Sequence, residues 1–302
     1  MHVQKASVPM YGRSQARHRS PLRGCMVSMF VGLLLLMFTC IASLALYVVI
    51  PPPPLDILVM GLDSRGNEGS VTRTDSIVMV GINPSHLNVS LLSIPRDIFI
   101  NVPNYGLQRI NTVNVLAEIE QSGTGPTLLA ESIETSFGIG VDKYIRLDFQ
   151  AFTALVDAIG GVTIDVPSTV VDNFFPTADY GTMTVRFEQG RQTMNGETAL
   201  IYARTRHQDD DYQRAARQQL VIGAIARKLM NPLNWLPAWY AIQTNTDTNL
   251  NVIDIAVVAP PILFSAGDLN QLVINRDYIL PGDGYVVPNY TALSPYIQEN
   301  FD

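Results

Sequence analysis

The stretch that decides the fold covers residues 63–97 and reads DSRGNEGSVTRTDSIVMVGINPSHLNVSLLSIPRD. It follows an apolar run at residues 57–60 and contains two more, at residues 76–82 and 89–94. The turn residues Asn83-Pro84-Ser85 separate the second run from the third. This pattern predicts three strands that pair as an antiparallel meander. Because neighbouring strands run in opposite directions, the polar residues that flank the runs meet at one edge of the sheet.

Three acids and three arginines are predicted at this edge: Asp63, Asp75, Asp97, Arg65, Arg73 and Arg96. Carboxylate oxygens are suitable ligands for a hard cation such as Mg2+. Arginine side chains bind phosphate oxygens through two parallel hydrogen bonds. Acids and arginines without a histidine among them indicate phosphoryl chemistry on an anion that is held together with a metal ion.

The N-terminal part of the chain has the features of a membrane anchor. Residues 26–50 contain no charge, and about 25 residues at ~1.5 Å each are long enough to cross a bilayer. Five bases and no acid precede this run, which predicts a cytoplasmic tail at residues 1–25. Residues 51–55 then form a proline spacer, and residues 56–302 an extracytoplasmic domain. A cleaved signal peptide is the rival interpretation, but the run is long and no small-x-small cleavage pattern follows it.

Charge and cysteine content narrow the function classes. The chain has 27 acids and 20 Lys or Arg, and all 27 acids follow residue 55. An acidic domain of this kind argues against nucleic acid as a partner. The only cysteines, Cys25 and Cys40, lie beside or within the apolar run, so the outer domain has no disulfide.

The rest of the chain alternates between predicted helices and strands. Helices are expected at residues 113–121, 126–137 and 149–159, the last with Asp148 as its N-cap, and strands at 144–147 and 162–166. Residues 167–194 are interpreted as a loop with one short strand near Val185. In the tail, helices are expected after Pro232, at 251–258 up to Pro260-Pro261, and at 290–301. The alternation predicts a three-layer α/β/α architecture with a central mixed sheet.

A second group of polar residues follows at residues 204–218. If the segment around Arg204 and Arg206 is extended, the two side chains point to the same side. A long helix is predicted at residues 212–230, with Arg214 and Gln218 on one face and Arg217 within the same turn. The aspartates at 209–211 are interpreted as favourable charges at the start of that helix.

Seven short motifs follow one another along the chain: ILVMGLDSR at 57–65, RTD at 73–75, LSIPRD at 92–97, RIN at 109–111, GGVTIDVP at 160–167, NGETAL at 195–200 and YARTR at 202–206. In this combination the chain resembles the LytR-CpsA-Psr family of cell-envelope glycopolymer transferases. The resemblance covers residues 56–230, and the match beyond residue 231 is loose.

The resemblance implies a phosphotransferase that moves a phospho-glycopolymer from a polyprenyl-pyrophosphate carrier to an envelope acceptor, such as a peptidoglycan hydroxyl. It implies that Asp63 and Asp75 bind Mg2+, with Mn2+ as the alternative ion. The remaining site residues are divided between catalysis (Arg96, Asp97, Arg204, Arg206, Arg214) and substrate binding (Arg65, Arg73, Asn111, Arg217, Gln218). Asp97 is the candidate general base, and Asp75 is the alternative.

The carrier lipid requires an apolar groove, which the apolar faces of residues 149–159 and 212–230 would line. An ordinary core predicts the same faces, so the sequence leaves this open. Three other functions also remain open: a polyprenyl-pyrophosphate hydrolase, a non-catalytic envelope-binding protein and a regulatory protein. For a regulator of transcription, the sequence offers no element that reads DNA.

Overall fold

The structure, a computed structural model, describes residues 21–64, 70–177, 181–205, 211–265 and 269–301. The chain divides into two compact units, Met1–Pro51 and Pro52–Asp302. In the first unit, helix α1 covers Pro21–Val49. Its segment Cys25–Val49 has a mean hydropathy of 2.5 and is long enough to cross a membrane. It is therefore a candidate membrane anchor.

The second unit is a mixed α/β domain. Its strands are β1 (Leu55–Leu62), β2 (Thr74–Asn83), β3 (Asn88–Ile94), β4 (Phe99–Val102), β5 (Gly106–Arg109), β6 (Lys143–Leu147), β7 (Val162–Val166), β8 (Val170–Pro176), β9 (Thr182–Phe187), β10 (Gly190–Met194), β11 (Asp247–Thr248), β12 (Asn270–Val273), β13 (Ile279–Pro281) and β14 (Val286–Pro288). Its helices are α2 (Val113–Glu120), α3 (Gly125–Phe137), α4 (Phe149–Ala158), α5 (Gly196–Arg204), α6 (Asp211–Leu229), α7 (Trp235–Asn245), α8 (Val252–Phe264) and α9 (Tyr290–Asn300).

The main sheet has the strand order β11-β6-β1-β2-β3-β12. Strands β1, β2 and β3 pair antiparallel in sequence, which confirms the predicted meander. Strand β6 runs parallel to β1, and β12 runs parallel to β3. The sheet is therefore mixed, as the alternation of strands and helices predicts.

The two faces of this sheet are covered in different ways. Alternate residues such as Leu58, Met60 and Met79 face a fully buried core, to which α3 contributes Leu129 and α9 contributes Leu293. The opposite face carries residues such as Ile57, Val80 and Leu91, which line a cavity beneath α4, α6, α7 and α8. The solid core therefore fixes the sheet, while the other face is open to a ligand.

Helix α9 lies directly against the centre of the sheet. A β-carbon added at Gly81 would be 2.6 Å from the carbonyl oxygen of Asn300, so only glycine permits this approach. The Ser90 hydroxyl also donates a 2.6 Å hydrogen bond to Oδ1 of Asn300, 210 residues away. The last helix is thus part of the central core.

Several local predictions are confirmed. Asp148 caps α4 by accepting a 2.8 Å hydrogen bond from the backbone N–H of Ala151. Helix α3 ends at Gly138, whose φ of 72° is the left-handed conformation that glycine favours. Helices α2, α6 and α9 lie within a residue or two of their predicted bounds.

Two predictions are wrong, and the condition set for Arg204 is not met. Residues 167–194 contain β8, β9 and β10 rather than a loop with one strand, because much of the β8–β9 ribbon is exposed and shows little apolar alternation. Arg204 is not in an extended segment but ends α5, which Asn195 caps by accepting from the N–H of Thr198. Helix α8 continues through Pro260 and Pro261 to Phe264, since its packing against β2 and β3 outweighs the lost backbone hydrogen bonds.

Candidate active site

A cavity of about 920 Å3 lies between the sheet and the helices α4, α6, α7 and α8. Most of its lining is apolar, with contributions such as Val59, Phe152, Val221 and Ile225. The cavity is therefore lined by α4 and α6, as predicted for the groove, and also by two helices of the tail, α7 and α8. A volume of this size suits a large apolar ligand.

One end of the cavity is polar. The residues found there, called the polar end below, are Asp63, Asp75, Ser76, Arg204, Arg214 and Gln218. The β1–β2 pairing explains the position of the two acids, because Asp63 follows the end of β1 and Asp75 is near the start of β2. The backbone N–H of Asp63 donates a 3.1 Å hydrogen bond to the carbonyl of Arg73, which keeps the two strand ends together.

Helices α5 and α6 supply the basic groups of the polar end. The guanidinium carbon of Arg204 lies 4.1 Å from the ring centre of Phe149 and 5.4 Å from that of Phe175. These aromatic faces attract the cation and hold it in one orientation. Arg214 is only 6% exposed, so its charge lies within the protein rather than on a solvated face. The polar end therefore contains cations whose positions are fixed before a ligand binds.

A chain of ion pairs leads away from the polar end. Arg96 Nη1 lies 2.7 Å from Asp75 Oδ2, and Arg96 Nε lies 3.3 Å from Asp97 Oδ2. Arg109 Nη1 lies 3.4 Å from the other oxygen of Asp97. Arg96 thus connects the acid at the cavity, Asp75, with the candidate base, Asp97.

Asp97 lines a second, shallower pocket of about 330 Å3. The rings of Phe99 and Tyr285 lie side by side there at a tilt of 43°, with their centres 5.4 Å apart, and Arg109 lies over the Phe99 ring at 5.5 Å. Tyr285 belongs to the turn between β13 and β14, so the tail of the chain completes this pocket. Two pockets therefore lie on either side of Arg96, one lined by Asp75 and the other by Asp97.

Three other predicted site residues do not line the main cavity. Arg217 is buried and donates from Nη2 to the carbonyl of Thr205 at 2.5 Å, so it holds the segment after Arg204. The backbone N–H of Asn111, itself buried, donates to the carbonyl of Arg96 at 3.3 Å. Arg73 is exposed at the strand end. Arg65 and Arg206 lie outside the described residues.

A buried polar network supports the segment that leads into β2. Asn114 Nδ2 donates to the carbonyls of Ser70 and Thr72, each at 2.8 Å. Arg146 Nη1 donates to Glu118 Oε1 at 2.5 Å, and Ser70 donates to Oε2 of the same carboxylate at 2.7 Å. Burial alone would raise the pKa of Glu118, but these bonds and those from two backbone N–H groups outweigh it and lower the pKa to about 2. The carboxylate is therefore charged at neutral pH.

Sequence reasoning did not identify several residues of this site. Phe175 and Ser76 belong to none of the motifs, although Ser76 donates to Gln218 at 3.1 Å. Trp235 and Trp239, which line the cavity from α7, are the only tryptophans of the chain. Both tryptophans fall in the helix predicted after Pro232, and this pairing was the one sequence feature that pointed to a role of the tail in the site.

The fold and the site together define a class of protein: layered α/β domains whose apolar cavity ends in carboxylates and arginines. Within this class, the chain matches the model of the LytR_cpsA_psr family over residues 51–291 and belongs to that family.

Two curated relatives are similar in sequence. One is the polyisoprenyl-teichoic acid–peptidoglycan teichoic acid transferase TagU of Oceanobacillus iheyensis, 34% identical over 56% of this chain and 50% of the relative. The other is the corresponding transferase TagV of Bacillus subtilis, 30% identical over 60% of this chain and 45% of the relative. The matched part thus spans about half the length of these relatives.

The fold is also similar to a solved structure. The crystal structure of B. subtilis TagV has a TM-score of 0.64 and 25% identity, and the match covers 82% of this chain and 96% of that chain. Most of the solved TagV chain therefore has a counterpart here, including the part beyond the motifs.

Proposed function

We propose that this protein is a membrane-anchored glycopolymer phosphotransferase. It would move a phospho-glycopolymer from a polyprenyl-pyrophosphate carrier to a hydroxyl group of a cell-wall acceptor such as peptidoglycan. The observation that carries the proposal is a single cavity with an apolar interior and an end built from carboxylates and arginines. The names of the relatives TagU and TagV, both teichoic acid transferases, support it.

The two parts of the cavity match the two parts of such a donor. The polyprenyl chain would lie among the apolar side chains, where removal of its surface from water favours binding. The pyrophosphate would lie at the polar end against Arg204, Arg214 and Gln218. As the P–O bond breaks, negative charge grows on the leaving phosphate, and fixed cations stabilise that charge.

We assign a metal-binding role to Asp63 and Asp75. Mg2+ is commonly held by one or two carboxylates together with substrate phosphates and water, and the two acids on one cavity rim fit that donor set. The described residues contain no group of three or more His, Cys, Asp or Glu arranged for a metal, so phosphate oxygens would complete the coordination. When bound, Mg2+ or Mn2+ would neutralise charge on the phosphates.

The second pocket is our assignment for the acceptor. Its hydroxyl oxygen would attack the phosphorus that carries the glycopolymer, and the bond from that phosphorus to the bridging oxygen would break. Asp97 would take the hydroxyl proton, and polyprenyl phosphate would leave. The ion pairs with Arg96 and Arg109 hold the carboxylate of Asp97 in place for this role.

The orientation in the membrane is part of the proposal. The bases Lys5, Arg13, Arg17, Arg19 and Arg23 precede the apolar run and would keep residues 1–25 in the cytoplasm. The domain from residue 56 would then lie outside, where cell-wall acceptors are found.

A reconstituted reaction tests the function. The purified full-length chain is mixed with a radiolabelled polyprenyl-pyrophosphate oligosaccharide, a peptidoglycan oligomer and Mg2+. We expect transfer of label to the peptidoglycan through a phosphodiester bond. Release of labelled oligosaccharide phosphate at the same rate with and without acceptor would instead indicate a hydrolase. Lack of any turnover would favour a non-catalytic protein.

A further inference from the structure

Helix α7 and the turn before it have apolar side chains on two sides. Trp235, Ala238, Trp239 and Ile242 line the cavity. On the outside, Leu233 is 82% exposed, Leu236 75% and Tyr240 70%. Large apolar side chains grouped at such exposure mark an interaction surface more often than ordinary protein surface.

Hydrogen bonds place the start of α7 at the end of the cavity away from Asp63. Helices α4 and α6 both begin beside the polar end, at Phe149 and near Arg214. At their other ends, Lys228 Nζ donates to the carbonyl of Gly160 at 3.2 Å. Trp235 Nε1 then donates to the carbonyl of Leu229 at 2.6 Å. The exposed side chains of α7 therefore begin at the end of the cavity away from Asp63.

The chain enters the domain beside the last turn of α7, where Gln243 Nε2 donates to the carbonyl of Leu250 at 3.1 Å. Strand β1 runs from Leu55 to Leu62, so its first residue is roughly 23 Å from its last at ~3.3 Å per residue. Leu55 packs in a cluster that includes Leu250 and Val257. Nearby, α8 begins with Val252 and Ile253, which are 66% and 72% exposed, and Lys143 pairs with Asp254 at 3.2 Å.

The composition of this region fits a bilayer surface. Residues 231–246 contain no charged side chain in an otherwise acidic domain, and the bases Arg227 and Lys228 precede them. Tryptophan, tyrosine and leucine beside basic residues are typical of segments that lie at a membrane interface. The four prolines at 51–54, directly before β1, extend about 12 Å at ~3.1 Å per residue.

We propose that the exposed residues Leu233, Leu236, Tyr240, Val252 and Ile253 form a surface that docks on the lipid bilayer. We name it the α7–α8 surface. The occupant is the membrane itself rather than a second protein, because Val252 and Ile253 follow the segment that packs against the start of β1, and the bases Arg227 and Lys228 precede Leu233. The consequence for the carrier lipid rests on the proposed function: the lipid would enter the cavity beside α7 without crossing water.

Tryptophan fluorescence tests the docking directly, because the only two tryptophans of the chain are Trp235 and Trp239. The full-length chain is reconstituted into vesicles of phosphatidylglycerol and dibrominated phosphatidylcholine, without any donor. Bromine quenches tryptophan that reaches the acyl chains. We expect at least half of the emission to be lost relative to unbrominated vesicles.

The double variant Leu233→Asp/Leu236→Asp should recover most of that emission, since neither residue lines the cavity. The matched control is Ile119→Asp on α2, where Ile119 is 69% exposed but contributes nothing to the cavity. It should be quenched like the wild type. Near-ultraviolet circular dichroism checks that each variant keeps its fold, and Leu236→Ser provides a milder change.

Equal quenching of the double variant and the wild type, or no quenching of the wild type, would overturn the docking proposal. A dimer that cross-links through Leu236→Cys while the emission stays unquenched would assign the surface to a second copy of the chain. Because the measurement needs no substrate, its failure leaves the transferase proposal untouched. If the transfer reaction fails while the quenching is strong, the transferase proposal is wrong and the docking proposal stands.

Discussion

The hydroxyl of Ser76 donates a 3.1 Å hydrogen bond to Oε1 of Gln218, a residue 142 positions further along the chain. This bond joins the start of β2 to the first turns of α6. Because Arg214 lies one turn before Gln218 on the same face, the bond also sets the position of Arg214 relative to Asp75. This contact therefore connects two parts of the polar end that come from distant parts of the sequence, the start of β2 and helix α6.

Arg204→Lys should reduce kcat/KM for the donor about tenfold or more. Lysine keeps the charge but loses the planar group that stacks on Phe149 and that, in the proposed function, binds two phosphate oxygens. Charge-assisted hydrogen bonds of this kind contribute roughly 1.5–3 kcal/mol each. The control is Arg186→Lys, an exposed arginine paired with Glu188, which should leave kcat/KM unchanged. Equal activity of both variants would remove Arg204 from the donor site.

Asp63→Asn should raise the Mg2+ concentration that gives half-maximal activity. The amide keeps the shape of the carboxylate but loses the charge that binds a hard cation. The melting temperature should change little, because Asp63 is exposed at the end of its strand. Metal titrations of the transfer reaction measure the effect, with Asp165→Asn on the exposed side of β7 as the control. An unchanged titration curve would show that Asp63 is not a ligand.

Tyr285→Ala should raise KM for the acceptor and leave KM for the donor unchanged. The ring forms one wall of the pocket that contains Asp97, and sugars bind well against aromatic faces because C–H groups cover the ring. Initial rates at varied peptidoglycan oligomer concentration provide the measurement. Asp283→Ala, on the same turn, is the control. An increase in donor KM instead would place the acceptor elsewhere.

Glu118→Gln should lower the free energy of unfolding at neutral pH by about 3–5 kcal/mol, the usual effect of breaking a buried ion pair. The pKa of Glu118 is about 2 in the folded protein and ordinarily about 4.5. Its stabilisation is therefore present above pH 4.5 and is lost as the pH falls toward 2. Denaturant unfolding at several pH values should show a shallower acid dependence for the variant between those limits.

The control for that measurement is Glu131→Gln on the exposed side of α3, which should keep the stability and the pH dependence of the wild type. Identical unfolding curves for Glu118→Gln and the wild type would show that the network under Ser70 and Thr72 adds nothing to stability.

The meander and the polar edge could be predicted because they depend on local patterns. The apolar runs of β1, β2 and β3 have clear turn signals between them, and their pairing determines where Asp63 and Asp75 lie. The capping role of Asp148 is similarly local, since it depends on one side chain and the N–H groups that follow. Such features need no knowledge of distant parts of the chain.

Features that depend on packing could not be predicted. The apolar face of α6 has the same composition whether it covers a core or a cavity, so the sequence alone did not distinguish them. Pro260 and Pro261 predict a helix end, but the packing of Val257 and Ile262 in the cluster against the sheet keeps α8 intact. The helical state of Arg204 depends on the cap at Asn195, nine residues before it.

The close approach of Asn300 to Gly81 has a consequence for the order of folding. The middle strand of the sheet is covered by the last helix, and the Ser90–Asn300 hydrogen bond closes a loop of 210 residues. Contacts of such long sequence separation form late and slowly. The part of this face around Gly81 and Ser90 therefore stays uncovered until residues 290–300 have been synthesised, long after α3 has become available to cover the rest of the face.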